Sequence, residues 1–145
     1  MYKLTLLTLG LFIMLPTTLF AYDLGVRAYY PTTKLSYECV KLSISLAGKT
    51  TCTSYNPVTK AYTARTSNIV LQKWSHLYDS KDVKIYESDK ISTPNKPDSV
   101  VKYGNIKLPT GEVVWTFYTM TADNQAGLLV DLLDKPKTER SMVIK

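Results

Sequence analysis

From about residue 26 onward, apolar and polar positions alternate with a period of two, and no stretch of a dozen residues holds the spacing of an amphipathic helix. Tyrosine, threonine and valine, which suit a pleated and half-buried surface, dominate this part, and turn residues recur roughly every ten positions. Residues 26–30 predict a first short strand, stopped by Pro31. Leu35, Tyr37 and Cys39 then share one parity, while Val40, Leu42, Ile44 and Leu46 share the other. Because side chains change face at every residue of a strand, that change of phase predicts a bulge or break near Cys39–Val40. Residues 60–71 predict a long strand with Tyr62 and Ala64 on one face and a polar middle at Thr66, Ser67 and Asn68. Short strands follow at 73–78 and 82–87, the second with Val83 and Ile85 pointing the same way. Pro94, Pro97 and their polar neighbours make 87–99 a surface loop, since proline cannot serve a central ladder.

The C-terminal third has the clearest pattern. Residues 99–108, 112–120, 127–133 and 139–144 read as strands, joined by Pro109-Thr110-Gly111, by Asp123-Asn124-Gln125-Ala126 and by Asp134-Lys135-Pro136-Lys137. Short connections make successive strands antiparallel neighbours, so a four-stranded meander is expected, with Gly104 opposite Thr116 and Phe117. Such a sheet has a face to bury, and the N-terminal strands supply the covering layer. The expected fold is all-β: an antiparallel β-sandwich or partly open barrel with a C-terminal four-stranded meander.

The first residues change the picture of where this domain works. Lys3, an apolar run from Leu4 to Leu15, the Pro16 break and small Ala21 follow the grammar of a secretory signal peptide. Pro16 and the two threonines after it shorten the apolar run to leader length rather than bilayer length. Cleavage after Ala21 divides the chain into a leader, 1–21, and a single β-rich domain, 22–145, with no stable membrane span after cleavage. The expected localisation is secreted or periplasmic. In an oxidising compartment the two cysteines, Cys39 and Cys52, are expected to be bridged. A simple hairpin centred near Gly48 would set Cys39 opposite about Pro57, too far from Cys52 for a bridge. Either the strand bends at Cys39, or the cysteines lie on strands that are not partners in this hairpin, or residues 41–47 form a helical turn. The bending strand is preferred.

Without the leader the chain carries 17 basic and 12 acidic residues, and its lysines are scattered rather than clustered. That describes a solvated cationic surface and gives no specific nucleic-acid signature. Two cysteines and one histidine are too few for a zinc site, and no calcium loop, phosphate loop or cofactor fingerprint occurs, so no metal or cofactor is expected. His76, within KWSHLYD, is the one general-base candidate, with Asp79 as its carboxylate. Ser75 is its neighbour on a strand and points to the opposite face, so it cannot easily be the nucleophile.

Aromatic residues are in surplus. Beyond residue 21 there are ten tyrosines, Trp74, Trp115 and one phenylalanine, Phe117. Tyrosine and tryptophan on a rigid sheet give large contact area with little entropy lost. Tyr29, Tyr30, Trp74 and Tyr78 are the expected exposed binding residues, whereas Trp115 and Phe117 share a parity that assigns them to the core. The function expected is a non-catalytic binding or inhibitory module for a protein or glycan. Its alternatives are a small secreted hydrolase using His76 and a structural subunit of an envelope assembly.

Overall fold

The computed structural model describes residues 19–20, 24–66 and 68–144. In chain order the strands are β1 (Leu19–Phe20), β2 (Val26–Tyr30), β3 (Leu35–Glu38), β4 (Lys41–Ile44), β5 (Thr50–Asn56), β6 (Ala61–Thr66) and β7 (Val70–Tyr78). They continue as β8 (Lys84–Tyr86), β9 (Lys90–Ser92), β10 (Ser99–Lys107), β11 (Val113–Thr121) and β12 (Ala126–Leu128). A short helix α1 (Leu129–Leu133), a 3-10 turn (Lys137–Glu139) and β13 (Met142–Ile144) complete the chain. All recorded pairings are antiparallel, in three sheets ordered β1-β4-β5-β6, β3-β2-β7-β8 and β12-β11-β10-β9-β13. The sheets curl into half-barrels. The leader expected at 1–21 lies outside the described residues except for Leu19–Phe20, whose backbone pairs with Leu42 and Lys41.

The change of phase at Cys39 is where the chain leaves one sheet for another. β3 pairs with β2 up to Glu38↔Arg27, and β4 begins at Lys41↔Thr53. Between them the Cys39 N–H donates to the Val26 carbonyl in one sheet and the Val40 N–H to the Thr53 carbonyl in the other. The bend sets the Cys39 and Cys52 α-carbons 5.4 Å apart and the two are bridged. Cys52 pairs with Leu42 because the hairpin is centred one residue before Gly48. Among the described residues there are two small cores, and the one around the bridge holds Ala28, Tyr30, Cys39 and Cys52, flanked by Leu24, Tyr37, Leu42 and Ile69.

The expected strand over 60–71 divides at its polar middle, β6 joining β5 in the first sheet and β7 joining β2 in the second. The expected loop over 87–99 contains β9, and Ile91, alternating with Lys90 and Ser92, is fully buried. The meander is therefore β9-β10-β11-β12, and Gly104 pairs with Thr116 as expected. The third expected strand is short because Leu129 and Leu133, four apart, bury one face of α1 instead. β13 returns to the far side of β9 rather than to β12. The second core sits under this sheet: Ile85, Ile91, Val101, Leu129 and Leu133, with Leu77, Phe117, Leu132 and Val143 against it. Val83 does not follow Ile85 inward and is 41% exposed, because it ends the turn before β8.

A polar network ties the layers together. Arg27 pairs with the buried Asp89 carboxylate, donates to Gln72 at 2.6 Å and lies 4.6 Å from the Tyr86 ring centre. Asp89 also accepts the Tyr86 N–H at 2.8 Å, so its charge is both paired and hydrogen-bonded, as burial requires.

Candidate functional site

β7 is nine residues long and irregular at one place. Trp74 pairs with Tyr86 and Tyr78 with Lys84, so three residues of β7 face the single Ile85 of β8. The excess is absorbed at His76, whose φ is +62°, a left-handed conformation that histidine tolerates better than most side chains. Gly25, itself at φ +60°, passes close beneath: its carbonyl accepts the Trp74 N–H at 2.7 Å. A side-chain carbon at Gly25 would lie 3.8 Å from both His76 and Trp74.

The bulge gathers three rings. Trp74 lies 4.5 Å from His76 and 5.6 Å from Tyr78, edge to face with the tyrosine. The indole N–H donates to the Leu77 carbonyl at 3.3 Å, fixing the ring. Lys84 holds its ammonium 4.7 Å from the Trp74 ring centre and 3.5 Å from Glu38, which also accepts the Tyr86 hydroxyl at 2.9 Å. Tyr78 is 44% exposed, His76 is exposed and Trp74 half-buried. The result is an aromatic surface edged by a cation and a carboxylate.

Ser75 and Asp79, the neighbours of His76 in sequence, are both engaged by the backbone. Ser75 is buried, donating to the Ile85 carbonyl at 2.8 Å and accepting the Leu77 N–H. Asp79 is 1% exposed, and its carboxylate accepts three backbone N–H groups, from Lys81 and Val83 at 2.8 Å and from Val143 at 3.0 Å. That carboxylate closes the β7–β8 turn and anchors β13. Among the described residues no cluster of three or more His, Cys, Asp or Glu has the arrangement of a metal site.

Of the tyrosines singled out from sequence, Tyr29 lies half-buried on the Trp74 face of the sheet, opposite Val70 and about 13 Å along β7 from Trp74. Tyr30, expected to be exposed, is 8% exposed and meets Tyr37 edge to face in the core around the disulfide. Adjacent strand residues face opposite ways, so only one member of a Tyr-Tyr pair could be outside. Burial raises the Tyr30 phenol above its ordinary value, with Arg65 opposing and Tyr37 adding to the shift. Trp115, assigned to the core from its parity with Phe117, is 63% exposed, because β10–β11 outruns the layer that covers Phe117. Parity gives the face, but not how far along a strand its cover extends. The framing role of Lys84 also had no signal in the sequence, since it depends on the register between β7 and β8. No family model, curated protein or solved structure matches this chain. Among the described residues no helix is long and apolar enough to cross a membrane.

Proposed function

We propose that the chain is a small exported, non-catalytic binding or inhibitory module that engages a protein or glycan through the Trp74–His76–Tyr78 face. One contrast carries this reading: three rings gather at the surface around a bulge, while the nearby serine and carboxylate are buried and occupied by backbone groups. Among the described non-glycine residues with left-handed backbone, His76 alone lies inside a strand, the others falling in turns and connections. The disulfide and the leader-like N-terminus support a secreted or periplasmic location.

The test compares immobilised wild-type protein with Trp74→Ala and Tyr78→Ala against envelope extract, culture medium and a panel of oligosaccharides. Retention of a partner by the wild type and its loss in both variants is expected. Retention unaffected by either change, or none at micromolar concentration, counts against the face. A screen of ester, peptide and glycoside substrates addresses the hydrolase alternative, with His76→Asn as control because asparagine tolerates the same backbone. Turnover that falls about a hundredfold in that variant would replace the binding reading. Large oligomers in size-exclusion chromatography would instead favour a subunit of an envelope assembly.

A further inference from the structure

The C-terminal sheet carries a second aromatic surface on residues other than those of the Trp74 face. β10 and β11 form nine consecutive pairs, from Ser99↔Thr121 to Lys107↔Val113. Their outer neighbours are much shorter: β9 pairs only with Ser99 and Val100, and β12 only with Tyr118, Thr119 and Met120. Val101 still bonds Asp89 and Ser88 through its N–H and carbonyl, and beyond it the hairpin is an arm with both edges open among the described residues. Odd-numbered residues of both strands share one face, which is the core face at its base, where Ser99, Val101 and Thr119 are buried. Further out the same face carries Tyr103, Phe117, Asn105, Trp115, Lys107 and Val113 and loses its cover, leaving Trp115 63% exposed.

The chemistry of that face is specific. Tyr103 lies 4.7 Å from Phe117 and 5.8 Å from Trp115, perpendicular to the indole at 75°. Asn105 sits directly opposite Trp115 and brings an amide that can both donate and accept. Lys73 reaches across from β7 to hold its ammonium 4.3 Å from the Tyr103 ring centre, and Lys107 stands on the same face toward the tip. Neither lysine takes part in a recorded ion pair among the described residues. Glu87 donates its N–H to the Lys73 carbonyl, and the Glu112 carbonyl accepts the Leu108 N–H in the loop at the tip. An open indole, an amide beside it and a cation at either end match a sugar ring that offers an apolar C–H face, hydroxyls and an anionic substituent.

We propose that the inner face of the β10–β11 arm binds an anionic saccharide chain. A pyranose lies against Trp115, Asn105 meets its hydroxyls, and Lys73 and Lys107 take its carboxylate or sulfate groups. Charge complementarity selects this occupant over a second copy of the chain, whose net charge is also positive at +6. The proposal does not depend on the Trp74 face.

Titration of the full domain with oligogalacturonate and with a heparin oligosaccharide, followed by tryptophan fluorescence and calorimetry, tests it. Binding of at least one of the two is expected. Trp115→Ala should weaken it about tenfold or more, the loss typical of a central aromatic anchor. Lys73→Gln and Lys107→Gln should each weaken it and flatten its dependence on salt. Tyr62→Ala, an exposed ring on β6 that belongs to neither aromatic face, should leave it unchanged, and thermal midpoints and circular dichroism of every variant establish that the fold is retained. The proposal is overturned if neither oligosaccharide binds at millimolar concentration or if neutral maltohexaose binds as well. It is equally overturned if Trp115→Ala binds like the wild type, which would mark diffuse attraction to a cationic surface. Tighter binding of oligo-dT or of oligo-glutamate would reassign the arm to nucleic acid or to an acidic peptide.

Discussion

Two buried groups show how much one residue decides here. Tyr30 is enclosed in the disulfide core, and its hydroxyl has no hydrogen-bond partner among the described residues. Tyr30→Phe should therefore raise stability near neutral pH by about 1 kcal/mol, the relief expected on removing an unsatisfied buried group. The same burial favours the protonated phenol in the folded state, so the unfolded chain ionises first as pH rises past about 10. The folded state then holds the extra proton, and stability falls with further increase in pH; below that value the contribution is fully present. Thermal midpoints measured from neutral to strongly alkaline pH should fall less steeply in Tyr30→Phe, and parallel curves would count against this account. Cys39 acts through chain connectivity instead. Cys39→Ser should lower stability by roughly 2–5 kcal/mol in urea denaturation. The bridge spans thirteen positions at the point where the chain changes sheets, and few ladder bonds fix that bend. Rapid reaction of the unreduced protein with a thiol reagent would contradict it.

At the scale of elements, β7 and its turn into β8 organise the molecule, and two changes probe them. Asp79 joins the turn to β13 through three backbone N–H groups, so Asp79→Ala removes the acceptor of all three. A loss of about 3 kcal/mol or more is expected by chemical denaturation. Asp79→Asn should recover part of it, because one acceptor oxygen remains. The bulge offers a different contrast. His76→Val forces a β-branched side chain into left-handed backbone and should cost about 2 kcal/mol, whereas His76→Gly should cost little. Equal destabilisation by the two would show that His76 is held by its ring contacts rather than by the conformation of the bulge.

At the scale of the whole molecule, three curled sheets enclose two small cores joined by the Arg27–Asp89–Gln72 network, and the long β10–β11 arm stands out from them. β1 contributes two backbone pairs to the first sheet, Leu19↔Leu42 and Phe20↔Lys41. The exported protein is predicted to begin at Tyr22 and to keep its disulfide, which intact-mass measurement before and after reduction reads directly. Recovery of a chain that still contains residues 1–21 would remove the support for the leader.

The sequence by itself determined the β class, the change of phase at Cys39, the expectation of a bridge to Cys52 and the approximate register of Gly104 opposite Thr116 and Phe117, because alternation and turn chemistry are local and survive in one dimension. It also marked Trp74 and Tyr78 as exposed rings and His76 between them as a general-base candidate, since all three lie within five residues of one strand. Where the strand over 60–71 divides, that Ile91 enters the core and that Leu129–Leu133 coils were decided by tertiary packing, since short apolar runs fit strand or helix equally well. Tertiary structure alone also decided exposure. Parity places Trp115 and Phe117 on one face, but the covering layer extends over one and stops before the other, a fact of which strands lie above that no single strand encodes.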